Sequence, residues 1–131
     1  MSHATLLFRA VPLMAIGLLP LAAPASAAGD AAAGKKAFLQ CQMCHSVESG
    51  GRDGIGPNLS GIIGKKAASR PGFKYSEALK KSQITWNAAS LDPWLKKPSA
   101  TVPGTRMIYA GMNDAAARAN VIAYLATLRA K

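Results

Sequence analysis

"CQMCH", residues 41–45, contains both cysteines of this 131-residue chain and one of its two histidines. Cys41 and Cys44 are three residues apart, and His45 follows the second thiol directly. Residues at this spacing lie on one turn of backbone. The stretch therefore predicts a compact site made of two sulfur atoms and one imidazole, and the remaining sequence has to indicate which kind of site it is.

The first 27 residues differ in composition from the rest of the chain. Arg9 is their only charged residue, an apolar stretch "AVPLMAIGLLPLAAP" follows it, and the small-residue run "ASAAG" comes next. A basic start, a short apolar middle and an A-x-A site form a secretory signal. The apolar stretch contains three prolines and is shorter than the about 20 residues of a membrane-spanning helix. We therefore expect residues 1–27 to be a cleaved signal peptide and residues 28–131 to form one soluble periplasmic domain, with no stable membrane insertion after cleavage.

Two of the three possible sites lack the context that they need. A thioredoxin-like C-x-x-C follows a strand in a βαβ unit, whereas here a helical pattern precedes the motif and a Gly-rich stretch follows it. A zinc site needs three or four ligands. The other histidine, His3, belongs to the predicted signal peptide, and ligands at positions 41, 44 and 45 would crowd one turn.

The third possibility is the attachment of haem, because C-x-x-C-H is the pattern of c-type haem sites. Cys41 and Cys44 can each bond to one of two neighbouring vinyl groups, and His45 then reaches the iron. Aromatic residues make up only 6% of the chain, so its own side chains would bury a modest core. A flat apolar ring would complete that core. We therefore predict one covalent haem c with its iron.

The second axial ligand has to come from another part of the chain. Without His3, methionine is the candidate. Met43 lies inside the motif and cannot reach the opposite face of the ring, which leaves Met107 and Met112. Met107 follows "VPGTR", where a Pro-Gly turn could direct the thioether inward. We predict Met107, with Met112 as the alternative.

Helical patterns account for the regular structure, and no strand pattern of any length occurs. "GDAAAGKKAFLQ" predicts a short helix with Asp30 as its N-cap, and "SEALKKS" predicts another with Ser76 as its N-cap. Between them, "ESGGRDGIGPNLSGIIG" is rich in Gly and turn formers and predicts a long loop.

Two further helices are expected in the second half of the chain. "TWNAASLDPWLKKP" predicts a helix capped by Ser90, since Pro93 then falls in the first turn, where no N–H bond is lost. "SATVPGTRMIYAGM" predicts a loop, and "NDAAARANVIAYLATLRAK" predicts the last helix, capped by Asn113.

From about residue 29 onward the chain resembles class I cytochrome c, close to its mitochondrial and soluble bacterial members. The matching pieces are "CQMCHSVESGG", "GPNLSGIIG", "PGFKY", "ITW", "PGTRMIYAG" and "VIAYL", in the order of the family and with nearly ungapped spacing. The resemblance implies an all-α fold of about four to five short helices and long loops wrapped around one covalently bound haem. It implies a soluble monohaem one-electron carrier, not an enzyme, that shuttles electrons between redox partners of a respiratory or photosynthetic chain.

Two other functions stay open at this point. One is a haem subunit of a larger redox complex. The other is a haem peroxidase or gas-binding protein in which Met107 is displaceable, although the chain between Met107 and Asp114 offers no histidine or carboxylate for distal chemistry.

The resemblance implies a role for each matching position. Cys41 and Cys44 would bear the haem, His45 and Met107 would ligate the iron, and the Pro57 carbonyl would accept the other N–H of His45.

Further roles come from the same resemblance. Tyr75 and Trp86 match residues that hydrogen-bond a haem propionate, and Lys65 stands where the family often has Arg. Gly34 and Phe38 match the face of the first helix that crosses the last one. Two departures, Leu79 where Asn is frequent and Trp94 where Tyr is frequent, predict a less polar network on the Met side.

The charge of the chain predicts its partners. Residues 28–131 keep fifteen Lys and Arg against six Asp and Glu, a formal net charge of +9. This charge favours anionic partners, and we expect a monomer that meets acidic-faced redox proteins, a reductase and an oxidase. Nucleic acid is not expected, because no basic segment is interleaved with base-stacking aromatic residues.

The basic residues expected to surround the haem edge are Lys35, Lys36, Lys96, Lys97 and Arg106. Several basic positions of mitochondrial members are replaced here by Gln40, Gly54, Ser99, Ala100 and Asn113, so a mitochondrial-type partner does not carry over directly.

Overall fold

The computed structural model describes Met1 and residues 28–129, so the predicted signal peptide and its cleavage site lie almost wholly outside the described residues. The helices of the described part are α1 Ala31–Ala37, α2 Leu39–Gln42, α3 Glu77–Lys81, α4 Ala88–Lys96, α5 Pro98–Thr101 and α6 Ala115–Thr127. These residues contain no strand, only one antiparallel bridge between Lys66 and Thr85. The predicted all-α fold is confirmed.

Two of the predicted helix starts are confirmed by their side-chain caps. Asp30 accepts hydrogen bonds from the backbone N–H groups of Ala32 and Ala33, at 2.8 and 3.2 Å, at the start of α1. Ser76 accepts one from Leu79, at 3.1 Å, at the start of α3. Each cap satisfies donors that have no partner inside the helix.

The predicted cap of α4 is wrong. Asn87 rather than Ser90 is the N-cap: the Asn87 side chain accepts from the Ser90 N–H at 3.0 Å, and Ser90 Oγ accepts from the Asn87 N–H at 2.9 Å. Pro93 therefore lies inside the helix, where it lacks one N–H donor. This reciprocal capping box satisfies two backbone donors, which offsets the bond that the proline removes.

The predicted cap of α6 is wrong by one residue. Asp114, not Asn113, accepts from the N–H groups of Ala116 and Ala117, at 2.8 and 3.2 Å. A carboxylate also interacts favourably with the positive end of the helix dipole, which an amide does not.

The described residues contain six helices rather than the expected four to five, for two local reasons. The first predicted helix is divided at Phe38, which ends α1 and precedes α2. Pro98 ends α4, as expected, but also begins the four-residue α5 inside a segment that was predicted to be loop. Proline suits the first position of a helix because its missing N–H would have no partner there.

The first and last helices cross at close range, as the Gly34 position predicts. A Cβ on Gly34 would lie 1.9 Å from the carbonyl oxygen of Asn120 in α6, so only glycine fits. Phe38 and Tyr124 stack beside the crossing with ring centroids 5.3 Å apart. This crossing closes one end of the core, below the cavity described next.

Candidate functional site

A cavity of about 540 Å³ opens into the core between the helices and the long loops. Its volume is within the usual range of ligand sites, 300–1,000 Å³. Seven of the eight predicted site residues line it, and they come from several separate parts of the chain. These residues are Cys41, His45, Pro57, Lys65, Tyr75, Trp86 and Met107.

The eighth predicted residue, Cys44, is one turn of backbone from Cys41 and lines the adjacent shallow cleft. The N–H groups of Cys44 and His45 both donate to the Cys41 carbonyl, at 3.1 and 2.9 Å, so the motif forms one tight turn. The two sulfur atoms do not form a disulfide with each other. Burial, and then the nearby Cys44, raise the pKa of the Cys41 thiol.

The imidazole of His45 is held in one orientation and one tautomer. Its Nδ1 lies 2.7 Å from the Pro57 carbonyl oxygen, as predicted. A carbonyl can only accept, so Nδ1 carries the proton and Nε2 keeps its lone pair free. Burial lowers the pKa of His45, and the hydrogen bond to Pro57 opposes this effect. In the neutral form of this ring, Nε2 can bind a metal.

Gly56 makes room for this ring. A Cβ at position 56 would lie 2.3 Å from Cε1 of His45 and 2.6 Å from its Nδ1. Backbone bonds hold Gly56 in place, since its N–H donates to the Cys44 carbonyl at 2.8 Å and its own carbonyl accepts from Gly54 at 2.9 Å.

The loop after the motif, residues 46–64, is held together by a buried amide; we call it the His-side loop. Asn58 is 5% exposed. Its Nδ2 donates to Ser46 Oγ at 2.7 Å and to the Glu48 carbonyl at 2.9 Å, and its Oδ1 accepts from the Ser60 N–H at 2.8 Å. One side chain thus joins three points of a loop that has no helix or strand, and it keeps Pro57 next to His45.

An ion pair fastens the His-side loop to the next segment. Asp53 accepts from Nε of Arg70 and, at 2.7 Å, from the N–H of Asn58. Arg70 also donates from Nη2 to the Gly51 carbonyl at 2.8 Å. The pair is partly buried and lies against the cavity, because Arg70 is one of its lining residues.

We call the part of the cavity that is lined by Lys65, Tyr75 and Trp86 its polar end, where propionate binding was predicted. The backbone N–H of Trp86 donates to the Lys65 carbonyl at 2.9 Å, and the Trp86 carbonyl accepts from the Gly64 N–H at 2.7 Å. This short antiparallel pairing brings Lys65 and Trp86 together. Tyr75 lines the same cavity, and burial raises its pKa, an effect that a backbone hydrogen bond with Arg70 opposes.

Another part of the cavity wall carries Met107, on a segment of residues 102–114 that we call the Met107 segment. Met107 lines the cavity. Met112, the alternative, is 9% exposed, packs in the core and is not among the lining residues. Its N–H donates to the Leu95 carbonyl at 2.9 Å.

The two departures from the family's frequent residues contribute apolar side chains to the cavity. Leu79 and Trp94 are both buried and both line the cavity. The Trp94 ring lies 5.2 Å from that of Trp86, centroid to centroid.

These donors fit a haem better than any other metal site. The cavity provides one neutral imidazole, one thioether and a mainly apolar lining, and the two thiols meet on one turn at its edge. Over residues 28–129, no three His, Cys, Asp or Glu side chains are grouped so that they could hold a metal ion, which leaves zinc without a ligand set. The same residues contain no strand before the motif, so the thioredoxin-like alternative lacks its context.

Comparison with known proteins agrees with this geometry. The sequence model of the family described as "Cytochrome c" matches residues 31–129. The chain belongs to the cytochrome c family. Cytochrome c2 of Rhodomicrobium vannielii is 45% identical over 120 residues, which cover 91% of this chain and 96% of that protein. Cytochrome c-554 of Methylosinus trichosporium is 46% identical over 104 residues, 79% of each protein.

A solved structure extends the likeness to the fold. Cytochrome cH from Methylobacterium extorquens matches with a TM-score of 0.71 and 47% identity, over 76% of this chain and 99% of that one. As a cytochrome c, the chain carries one covalently attached haem with its iron and transfers single electrons between redox partners. Members of this family are electron carriers rather than enzymes. In the described part of the chain, no helix has the length and apolar character needed to cross a membrane.

Three structurally important residues escaped prediction. Asn58, Arg70 and Arg118 each make several hydrogen bonds to distant parts of the chain. No local pattern reveals them, because all of their partners except Ser60 are 5 to 26 residues away in sequence.

Proposed function

We propose that residues 1–27 are a cleaved signal peptide and that residues 28–131 form a soluble, monomeric periplasmic cytochrome c of a respiratory or photosynthetic chain. In this proposal Cys41 and Cys44 form the thioether links, while His45 and Met107 are the axial ligands. The observation that carries it is that a neutral imidazole with a free Nε2 and a thioether line one cavity beside two thiols on a single turn.

The chain holds His45, one of the two proposed iron ligands, in a fixed position. The haem supplies the ferric–ferrous couple. The carbonyl of Pro57 and the space at Gly56 hold His45 in a single orientation, so its position need not change with the charge of the site. The apolar wall of Leu79 and Trp94 disfavours an extra positive charge, and thioether ligation acts in the same direction. Both effects favour a high reduction potential.

The polar end of the cavity suits the two propionates. Lys65 offers a positive charge, and Tyr75 and Trp86 offer O–H and N–H donors.

The docking surface for redox partners is proposed where the two walls of the cavity meet. Tyr109 donates to Oε1 of Gln40 at 3.4 Å, which joins the chain next to Met107 to the chain next to Cys41. The neighbouring side chains Leu39 and Ile108 are exposed, and an apolar contact of this kind suits a short-lived complex.

We propose that basic residues lie around this surface. Those that we assign to it, all of them exposed, are Lys35, Lys36, Lys96, Lys97 and Arg106. They favour acidic-faced reductases and oxidases, and we expect electron exchange with such partners to slow as salt rises toward 0.5 M, because salt screens exposed charges.

The test is to express the whole chain in cells that mature c-type cytochromes and to compare Met107→Leu with Met112→Leu. These substitutions conserve volume, so both proteins should fold. We expect Met107→Leu to lose the far-red charge-transfer band of ferric Met-ligated haem and Met112→Leu to keep it. If Met107→Leu kept the band, a residue other than Met107 would be the ligand.

The parent protein provides the second part of this test. We expect it to be red, to have the mass of residues 28–131 plus one haem, and to sediment as a monomer. A colourless product with the bare polypeptide mass would refute the proposal, and stable association with another haem protein would make it a subunit of a larger complex.

A further inference from the structure

A buried arginine lies behind the Met107 segment, outside the cavity. Arg118, on α6, has a side chain that is only 7% exposed. Its Nε donates to Oδ1 of Asp92 at 2.7 Å, and Nη2 lies 3.5 Å from Oδ2 of the same carboxylate. Its Nη1 donates to the carbonyls of Met112 and Asn113, at 2.9 and 2.8 Å.

These bonds connect three elements. Asp92 belongs to α4, whose residues Leu91, Trp94 and Leu95 line the cavity. Met112 and Asn113 form the end of the Met107 segment, and Arg118 itself belongs to α6. One guanidinium therefore fastens the end of the segment between two helices of the core.

The middle of the segment is held much less firmly. Within the described residues, positions 106–111 make no backbone–backbone hydrogen bond with another part of the chain. The Met107 N–H donates to Oγ1 of Thr105 inside the segment, at 3.3 Å, and Tyr109 reaches Gln40 at 3.4 Å. The next firm backbone bond is from the Met112 N–H to the Leu95 carbonyl, directly beside the Arg118 contacts.

Loss of the Arg118 contacts would leave costly groups behind. A buried carbonyl that loses its donor has to regain water, and a buried charge that loses its partner is costlier still. The least costly response is for the end of the segment to move outward, where water can reach the carbonyls of Met112 and Asn113. That movement carries Met107 away from the cavity.

We propose that Arg118, through its bonds to Asp92 and to the carbonyls of Met112 and Asn113, is a positioning residue that keeps the Met107 segment closed over the cavity. Arg118 acts by prolonging the time for which the Met107 segment stays closed, not by contact with the haem. The inference rests on the proposed role of Met107 as the sulfur ligand.

The experiment uses the haem-loaded protein and two independent measurements. Arg118→Lys keeps the positive charge but replaces the planar fork by a single ammonium group, which cannot reach all three acceptors. We expect hydrogen exchange of the Met112 amide to rise about tenfold, since bonds to charged groups contribute enough for such a factor. We also expect added imidazole, which competes with the thioether for ferric iron, to bind about tenfold more tightly.

A milder variant and a matched control accompany this change. Asp92→Asn leaves the bonds from Arg118 to the two carbonyls in place, and we expect about a threefold rise in both measurements. Arg70→Lys alters the comparable pair with Asp53 on the other side of the cavity. It should speed exchange of the Asn58 amide and leave the Met112 amide and imidazole binding within about twofold of the parent.

The possible results separate this proposal from the preceding one. If Arg118→Lys leaves both measurements within about twofold of the parent, or if Arg70→Lys changes them equally, the positioning role is wrong. If Met107→Leu keeps the far-red band, the ligand assignment is wrong instead. Imidazole binding then reports on another ligand, and the exchange of the Met112 amide alone decides whether Arg118 holds the segment closed.

Discussion

The two walls of the cavity, one with His45 and the other with Met107, hold these proposed iron ligands in different ways. On the His side, His45 follows a turn whose neighbours are joined by the Asn58 amide, by the Asp53–Arg70 pair and by the bond from His45 to Pro57. On the Met side, Met107 lies in the middle of a segment that is fastened mainly at its ends. One wall is held by many hydrogen bonds, and the other by a few. With His45 and Met107 as the proposed ligands, the comparison predicts that the first stays rigid and the second opens more readily.

Gly56→Ala should produce the largest effect, because it acts on the rigid wall. The new Cβ would lie 2.3 Å from the His45 ring, and the bonded loop offers no way to relax. We expect the free energy of unfolding to fall by about 3 kcal/mol, as measured by guanidinium denaturation of the haem-loaded protein. Gly50→Ala is the control: it meets no atom within 4 Å but has φ of +73°, so it should cost about 1 kcal/mol.

Gly111→Ala makes the corresponding change on the Met side. Its Cβ would lie 2.0 Å from the Lys96 carbonyl oxygen, and φ is +105°. Here the strain can be relieved if the segment opens, so we expect a loss of about 2 kcal/mol in unfolding free energy together with loss of the far-red band. A variant as unstable as Gly56→Ala that nevertheless kept the band would show that both walls are equally rigid.

The third prediction compares the polar groups of the two walls. Asn58→Ala removes three hydrogen bonds in a buried place and should lower the free energy of unfolding by about 2 kcal/mol. Thr105→Ala removes only the acceptor for the Met107 N–H, at 3.3 Å, and should cost about 0.5 kcal/mol. Thermal and denaturant unfolding of the two variants measure the difference, and equal losses would contradict the comparison.

Tyr109→Phe should have the smallest effect. It removes only the long hydrogen bond to Gln40, at an exposed place. We expect the free energy of unfolding to change by less than about 0.5 kcal/mol, while imidazole binding strengthens slightly because the middle of the segment loses its one contact with α2. A loss above 1 kcal/mol would mean that the Met107 segment is held along its whole length.

The sequence predicts what depends on neighbouring residues and misses what depends on distant ones. The Asp30 and Ser76 caps and the turn at Cys41 follow from residues within three or four positions. The glycine at position 34 indicated a close helix crossing because its cost inside a helix has to be offset by something.

The errors and omissions have equally physical causes. Pro93 was expected in the first turn of α4, but α4 begins one turn earlier, at a capping box. The hydrogen bonds of this box outweigh the single backbone bond that Pro93 removes. Asn113 and Asp114 are both good caps on local grounds, and the Asn113 carbonyl turned out to be engaged by Arg118. Asp92 is 26 residues from Arg118, a pairing that only the packing of α4 on α6 can create.

The crossing of the first and last helices has a consequence for biogenesis. The Asp30 N–H finds its acceptor on Asn120, 90 residues later, and Gly34 is shaped for the same partner. If the chain is exported as proposed, a polypeptide emerging from a translocation channel would expose Cys41 and Cys44 before α6 arrives to complete the fold. Until then the thiols would be accessible to the enzymes of cytochrome maturation, and the late arrival of α6 would provide the interval in which the prosthetic group can be joined.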